Sequence, residues 1–310
     1  MERHYAMLIF LIGAGSFGFN PFFVKLSYAG GWTLSEIIDM QIIIALIVLW
    51  IVGIFAMYRH RWAVRKLTAK SVLNIMAVGG FTGLTSVLYY GAMAYLPASL
   101  AIVMLFQFVW VGMIYEWIFD RRKPSLKTIL SVILTLIGVY FAAGLVSGKA
   151  LDFPMIGFLL GLGAAFSYSA FIFTSGRVSV DIPATVRTPI IATGAGIVIF
   201  VIFPPIFTIK DALGSDLWLY AAALGFTALI LPPFLFAISA PNLSPSLATI
   251  LGAIELPVAV IVSNLGLSEH VTGWQWFGII LILFSIMVGE VNIFKKSSSQ
   301  NLKRDILKNK

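Results

Sequence analysis

The sequence predicts an all-α polytopic membrane protein with ten transmembrane helices arranged as two inverted five-helix repeats. Three observations predict it. The chain has too little charge to cover a water-facing surface, its apolar residues fall into ten membrane-length runs, and its second half echoes its first. Of 310 residues, 60% are hydrophobic and 11% are charged, with a mean hydropathy of +0.98. A soluble domain carries about 25% charged residues. A span takes about 20 apolar residues, so ten spans use about 200 and leave short loops. A large extramembrane domain is excluded by the same sum. The absence of cysteine excludes disulfides, thiol nucleophiles and cysteine-held metals or haem.

The apolar runs place helices near 6–26, 35–57, 71–95, 98–119, 126–147, 154–175, 186–208, 217–239, 246–266 and 273–293. MERHY ahead of the first run has a signal-peptide character, but no small-x-small cleavage motif follows promptly and nine more runs do. The first helix is therefore expected to be retained. With the N-terminus inside, all of the 21 basic residues except Lys25, Lys149 and Lys210 fall on the cytoplasmic side. That asymmetry predicts a multi-pass protein of the cell (cytoplasmic) membrane with both termini cytoplasmic. The net charge of +8 is thus a topology signal, with contact to anionic membrane lipids. Nucleic acid is not an expected partner, because the basic loops are short and lack interleaved stacking aromatics.

The repeat is visible in three places. LPASLA (96–101) returns as LSPSLA (243–248), an offset of 147, and GFTGLTSVLYYGAMAYL (80–96) aligns with GFTALILPPFLFAISAPNL (225–243). GAGSFGFNPFF (13–23) aligns with GLGAAFSYSAF (161–171) at an offset of 148. The chain therefore divides into a first repeat (1–150), a second repeat (151–294) and a basic cytoplasmic tail (295–310). Five spans per copy is an odd number, so the second copy enters from the opposite side. Many secondary transporters share that layout, with the substrate site near the midplane where the repeats meet.

Several motifs resemble the drug/metabolite transporter superfamily, in its EamA-like permease branch. They are Gly18-Phe19-Asn20 with Lys25, Ser-Leu-Ala at 99–101 and 246–248, and Pro257. Leu267-Ser268-Glu269 running into Trp274-Gln275-Trp276-Phe277-Gly278 also matches. The first copy departs from the pattern, with Trp110 where the second has Pro257 and Arg122 where it has Glu269. The resemblance implies a ten-helix carrier for small metabolites or amino acids, usually exporting, with some importing relatives.

Polar groups in hydrocarbon are costly, so those in mid-span are candidates for function. Glu255 lies about ten residues into the ninth run, two residues before Pro257. It reads as a proton-coupling carboxyl or a counter-ion for a cationic substrate group, against a structural glutamate hydrogen-bonded across the bundle. Pro257 cannot donate to the carbonyl of Ala253, which is expected to be free. Gln107 in the fourth run could bond a substrate or a neighbouring helix, and Asn20 beside Pro21 could line the pathway. Tyr89, Tyr90, Trp110 and Tyr168 are the aromatics placed deep in runs that build the site in the related fold, for stacking or cation–π contact. Pro21, Pro232, Pro233 and Pro257 are the expected helix breaks or gates. Gly157, Gly161 and Gly163 at helical spacing are expected to pack helices closely. Glu36, Asp39, Glu116 and Glu290 sit near span ends and are expected to be solvated or structural.

An enzyme is not expected, since the three histidines lie in loops or at the start of the chain and no H-E-x-x-H or G-x-S-x-G occurs. A channel would need a continuous polar pore, which the runs lack. No nucleotide motif is present, so transport must draw on an ion gradient or on exchange. The expected function is alternating-access secondary transport of a small molecule, most simply export of an amino acid or related compound. The alternative is import or exchange of a small organic cation such as a quaternary amine. No cofactor or metal is expected; protons are the candidate coupling ion, and the chain is compatible with a monomer or a homodimer.

Overall fold

The computed structural model describes residues 1–93, 95–96, 98–142, 145, 154–205, 214–267 and 272–288. Lys149, Lys210, Ser268, Glu269, His270, Glu290, the boundary at residue 150 and the tail 295–310 lie outside the described residues.

Every regular element among the described residues is helical. In chain order they are α1 (Arg3–Phe17), α2 (Asn20–Ala29), α3 (Leu34–Arg59), α4 (Arg61–Val64), α5 (Ala69–Met93), α6 (Ala98–Leu105), α7 (Phe108–Asp120) and α8 (Leu126–Ala142). There follow α9 (Met155–Ser175), α10 (Ala184–Ile202), α11 (Leu217–Leu224), a π-helix (Gly225–Ile230), α12 (Leu231–Ser239) and a 3-10 turn (Ala240–Asn242). The last are α13 (Pro245–Gly252), α14 (Glu255–Leu267) and α15 (Gly273–Val288).

Among the described residues eight helical stretches are long and apolar enough to cross a membrane, some of them made of two to four of these elements. The fifth and tenth runs yield α8 and α15, apolar helices whose described parts reach Ala142 and Val288. The remainder of the expected spans, apart from residue 145, lies outside the described residues.

Local chemistry sets several starts. Thr33 and Glu36 form a capping box at α3, satisfying backbone donors of the first turn. Ser244 caps α13 by accepting from the Leu247 N–H. The helices then hide one face and leave the other bare. Ile47, Ile51, Phe55, Ile133, Ile137, Leu159, Ile280 and Phe284 are exposed, a surface suited to lipid and not to water.

The interior is built by α5 packing against α9 and α10, α1 against α12, α13 against α7, and α3 against α10 and α11. Phe10 and Phe236 stack at 4.1 Å between α1 and α12. The expected close packing occurs at two of the three glycines. A Cβ on Gly157 would lie 2.8 Å from Leu96 and one on Gly161 2.6 Å from Met104, whereas Gly163 has ordinary contact only. Polar bonds join α8 to α15, where the Ser131 hydroxyl donates to the Ser285 carbonyl at 2.5 Å and the Thr135 and Ser285 hydroxyls lie 2.7 Å apart.

Candidate functional site

The interior helices do not run straight. Three of them break in mid-span, at Gly18–Phe19, Phe106–Gln107 and Ala253–Ile254. At each break the backbone tightens for one turn. Gln107 N–H bonds the Met104 carbonyl and Val109 N–H bonds that of Phe106, both three residues back. In the later break Ile254 N–H bonds Leu251 and Leu256 N–H bonds Ala253 in the same pattern. The two breaks are 147 residues apart, the offset that relates LPASLA to LSPSLA.

The proline expectations need adjustment here. Ala253 does not keep a free carbonyl, because the tightened turn gives it the Leu256 N–H at 3.3 Å. Pro257 is the third residue of α14, where its missing N–H has no helical acceptor to leave empty. Proline is not what makes this kind of break, since the break at 106–107 has the same hydrogen-bond pattern with Trp110 standing 147 residues before Pro257. Pro21 is likewise the second residue of α2. Pro232 and Pro233 open α12, and the π-helix lies immediately before them, where Leu231 N–H reaches five residues back to Phe226. Two consecutive missing donors leave the α register without partners, and the wider winding accommodates that.

Three breaks deliver three side chains to one place. Phe17 closes α1, Phe108 opens α7 and Glu255 opens α14. The Tyr168 ring of α9 stands edge-on to Phe17 at 5.7 Å and to Phe108 at 4.8 Å. The Phe108 ring also lies against Gly252, 3.1 Å from where its Cβ would be. Glu255 is half-buried, between buried Ala253 and Leu256, and its carboxyl is near enough to act electrostatically on Tyr89 and Tyr168. Tyr168 is 3% exposed, and its hydroxyl has no hydrogen-bond partner among the described residues. A buried hydroxyl without a partner is costly, so it offers a donor to whatever enters beside Glu255.

The remaining candidates sit around this point in different ways. Gln107 turns inward on its own helix: its amide nitrogen donates to the Val103 carbonyl at 2.9 Å, and its oxygen accepts from Trp110 Nε1 at 2.8 Å. The Val103 carbonyl is the one that the tightened backbone leaves behind, so the side chain replaces the missing helical bond. The Trp110 ring lies edge-on to Phe166 at 5.8 Å. Tyr90 packs with Ile38, Ile42, Ala195 and Ile199 in an apolar cluster, its ring 5.9 Å from that of Tyr89. Asn20 meets the π-helix, its Oδ1 lying 3.0 Å from the Thr227 hydroxyl, while the Ser16 hydroxyl lies 2.9 Å from the Thr227 carbonyl. The first break is thereby tied to the π-helix on both sides.

Sequence reasoning missed Phe17, Phe108, Ser16 and Thr227. Phe108 had a usable signal, because it is the position equivalent to Glu255 at an offset of 147. Asp39 differs from expectation: it is 1% exposed and, among the described residues, neither carboxylate oxygen has a partner. It lies more than a turn inside α3, a helix against which α10, α11 and the π-helix pack. Glu116 accepts from the Ser246 N–H and hydroxyl.

Comparison with known proteins agrees with this architecture. The EamA-like transporter family matches the chain twice, over residues 4–144 and 155–288. A relative from Synechocystis sp., described as an uncharacterized transporter, is 22% identical over 95% of this chain and 96% of its own length. One solved crystal structure superposes with a TM-score of 0.73, covering 94% of this chain and 98% of that one at 16% identity, which speaks to the fold alone. Helices that break in mid-span around a half-buried carboxyl, in a chain matched over most of its length by one family, lead to a single conclusion: the protein belongs to the EamA-like transporter family and is a multi-pass membrane transporter.

Proposed function

We propose that the protein is a secondary active transporter that exports a small amine-bearing metabolite, an amino acid or related compound, by alternating access. The observation that carries this reading is the half-buried Glu255 carboxyl at the meeting of three helix breaks, beside Tyr89 and Tyr168. Discontinuous helices around a midplane site are how many carriers hold substrate. The carboxyl is a counter-ion for an ammonium group and a place to load a proton. No chemistry beyond binding and translocation is assigned, and the protein is read as a carrier and not an enzyme.

Two observations support the arrangement as ten spans in two inverted five-helix repeats, 1–150 and 151–294. The family matches each half separately, and the breaks at 106–107 and 253–254 share a hydrogen-bond pattern at the repeat offset. The positive-inside pattern supports cytoplasmic termini in the cell membrane. A second reading, a small organic cation as substrate, is favoured by the rings of Phe17, Phe108 and Tyr168 near the carboxyl, which suit cation–π contact.

Uptake and counterflow in proteoliposomes test both readings, with a panel of amino acids, polar amines and a quaternary amine. Saturable flux of an amine-bearing solute that responds to an imposed proton gradient is expected. Single-channel current steps, or saturable flux of anionic solutes only, would sink the reading.

A further inference from the structure

Both ion pairs that join the two halves of the chain, among the described residues, lie at one end of the bundle. Asp120, the last residue of α7, pairs with Arg177 just past α9 at 2.5 Å. Arg177 is already fixed, because it donates to the Phe173 carbonyl at 3.0 Å and lies 3.7 Å over the Phe173 ring. Lys66, before α5, pairs with Asp181, before α10, at 3.2 Å. One turn inward from Asp120, the Glu116 carboxylate accepts the N–H of Ser246 at 3.2 Å and also the Ser246 hydroxyl. Ser246 lies in the first turn of α13, so the carboxylate also meets the positive end of that helix. The ties differ in weight. Lys66 and Asp181 are 52% and 59% exposed, and such a pair contributes little. The part-buried bonds of Glu116 and the pre-fixed Asp120–Arg177 pair are the strong ones.

The repeat gives each of these residues a counterpart on the opposite face. At an offset of 147, Glu116 corresponds to Ser263, Ser246 to Ser99 and Asp120 to Leu267; at 148, Arg177 corresponds to Ala29. Each charged group on one face thus has an uncharged counterpart on the other. In an inverted-repeat carrier the two end states exchange the conformations of the halves, so contacts that close one face in one state have counterparts that close the other face in the other state.

We infer that Glu116–Ser246 and Asp120–Arg177 are a one-sided latch: they hold the face of the basic loops shut, and the unloaded carrier rests open to the opposite, external face. The inference rests on the inverted-repeat carrier reading above. It gives the protein a built-in bias, because substrate arriving from the cytoplasm must break charged contacts that the return step need not.

The absence of native cysteines makes single-cysteine labelling a clean readout, made without substrate. Ala248→Cys in α13 reports the latched face, and Val262→Cys in α14 reports the other. Each is treated with a membrane-impermeant maleimide from its own side in oriented vesicles. In the otherwise native chain Ala248→Cys should label slowly and Val262→Cys quickly. Glu116→Ala should raise the Ala248→Cys rate by about tenfold, the weight of a charged hydrogen bond, and slow Val262→Cys. Asp120→Asn should act in the same direction. Should Glu116→Ala fail to fold, Glu116→Gln and Asp120→Asn carry the same test. Unchanged labelling of Ala248→Cys in folded Glu116 and Asp120 variants overturns the latch. Flux in the native chain is measured separately, so a failed latch with saturable flux leaves the carrier reading standing, and absent flux strikes that reading itself.

Discussion

Gly18 and Glu255 meet backbone to backbone: a Cβ on Gly18 would lie 2.7 Å from the Glu255 carbonyl oxygen and 2.6 Å from the Cβ of Val258. The first break can approach the carboxyl-bearing turn only because no side chain intervenes. Gly18→Ala must push α14 away or open the break, and overpacking of this kind costs about 1–3 kcal/mol. The expected result is a lower melting temperature in detergent together with weaker substrate affinity. Gly15 is the control, since its Cβ would make an ordinary 3.6 Å contact with Val258, and Gly15→Ala should leave both nearly unchanged. Equal effects of the two substitutions would contradict the close approach.

Glu255 carries the proposed recognition of an ammonium group. Glu255→Gln keeps the shape and removes the charge, and loss of one partner from a desolvated charge pair costs about 2–5 kcal/mol. Affinity for an amine substrate should fall roughly 30-fold or more, and the dependence of flux on external pH should flatten. Both are read from initial rates in proteoliposomes between pH 5.5 and 8.5, a range chosen to bracket neutral pH. An unchanged profile with unchanged affinity removes Glu255 from the mechanism.

Much of this architecture was legible before any coordinates, for a simple reason. Hydrocarbon admits few alternatives to a helix, so the apolar runs located helix starts at 98, 126, 217 and 273 to the residue. The intramembrane carboxyl was equally plain, because a charge in such a run is conspicuous. The breaks were not legible. Phe106-Gln107 contains neither proline nor glycine, and its tightened turn depends on a side chain returning to the Val103 carbonyl. Pro257 drew attention to the right stretch but to the wrong cause, whereas Pro232-Pro233 do mark the π-helix. Asp39 misled because distance from a span end says nothing about which neighbours cover a side chain, and in α3 they cover it completely.

Gln107 and Trp110 act as one unit, joined at 2.8 Å. Trp110→Phe removes the donor and leaves the Gln107 oxygen unpaired, while Gln107→Ala leaves both the indole N–H and the Val103 carbonyl unpaired. Each single change should lower stability by about 1–3 kcal/mol. The double variant should cost less than the sum, with a coupling of about 0.5–3 kcal/mol. Melting of the three variants completes the cycle. Strict additivity would show that the bond does not operate and would return Gln107 to the pool of direct substrate ligands.

Arg187 makes a different prediction, about folding and not about recognition. It is 2% exposed in the first turn of α10, and its guanidinium gathers carbonyls from three segments. It donates to Val178 at 2.8 Å, to Ser175 at 3.4 Å and to Ala237 at 2.5 Å. The planar fork spans these acceptors, which an ammonium group on a flexible stem cannot do. Arg187→Met fills similar space and removes the charge, leaving the carbonyls unpaired at about 1–3 kcal/mol each in the buried case. Arg187→Lys retains a buried charge while losing most of its bonds, the more costly outcome. The expected order of melting temperature is therefore native, then Arg187→Met, then Arg187→Lys. A lysine variant as stable as the native chain would mean that the charge alone matters there, and that the fork does not hold the ends of α9 and α12 together.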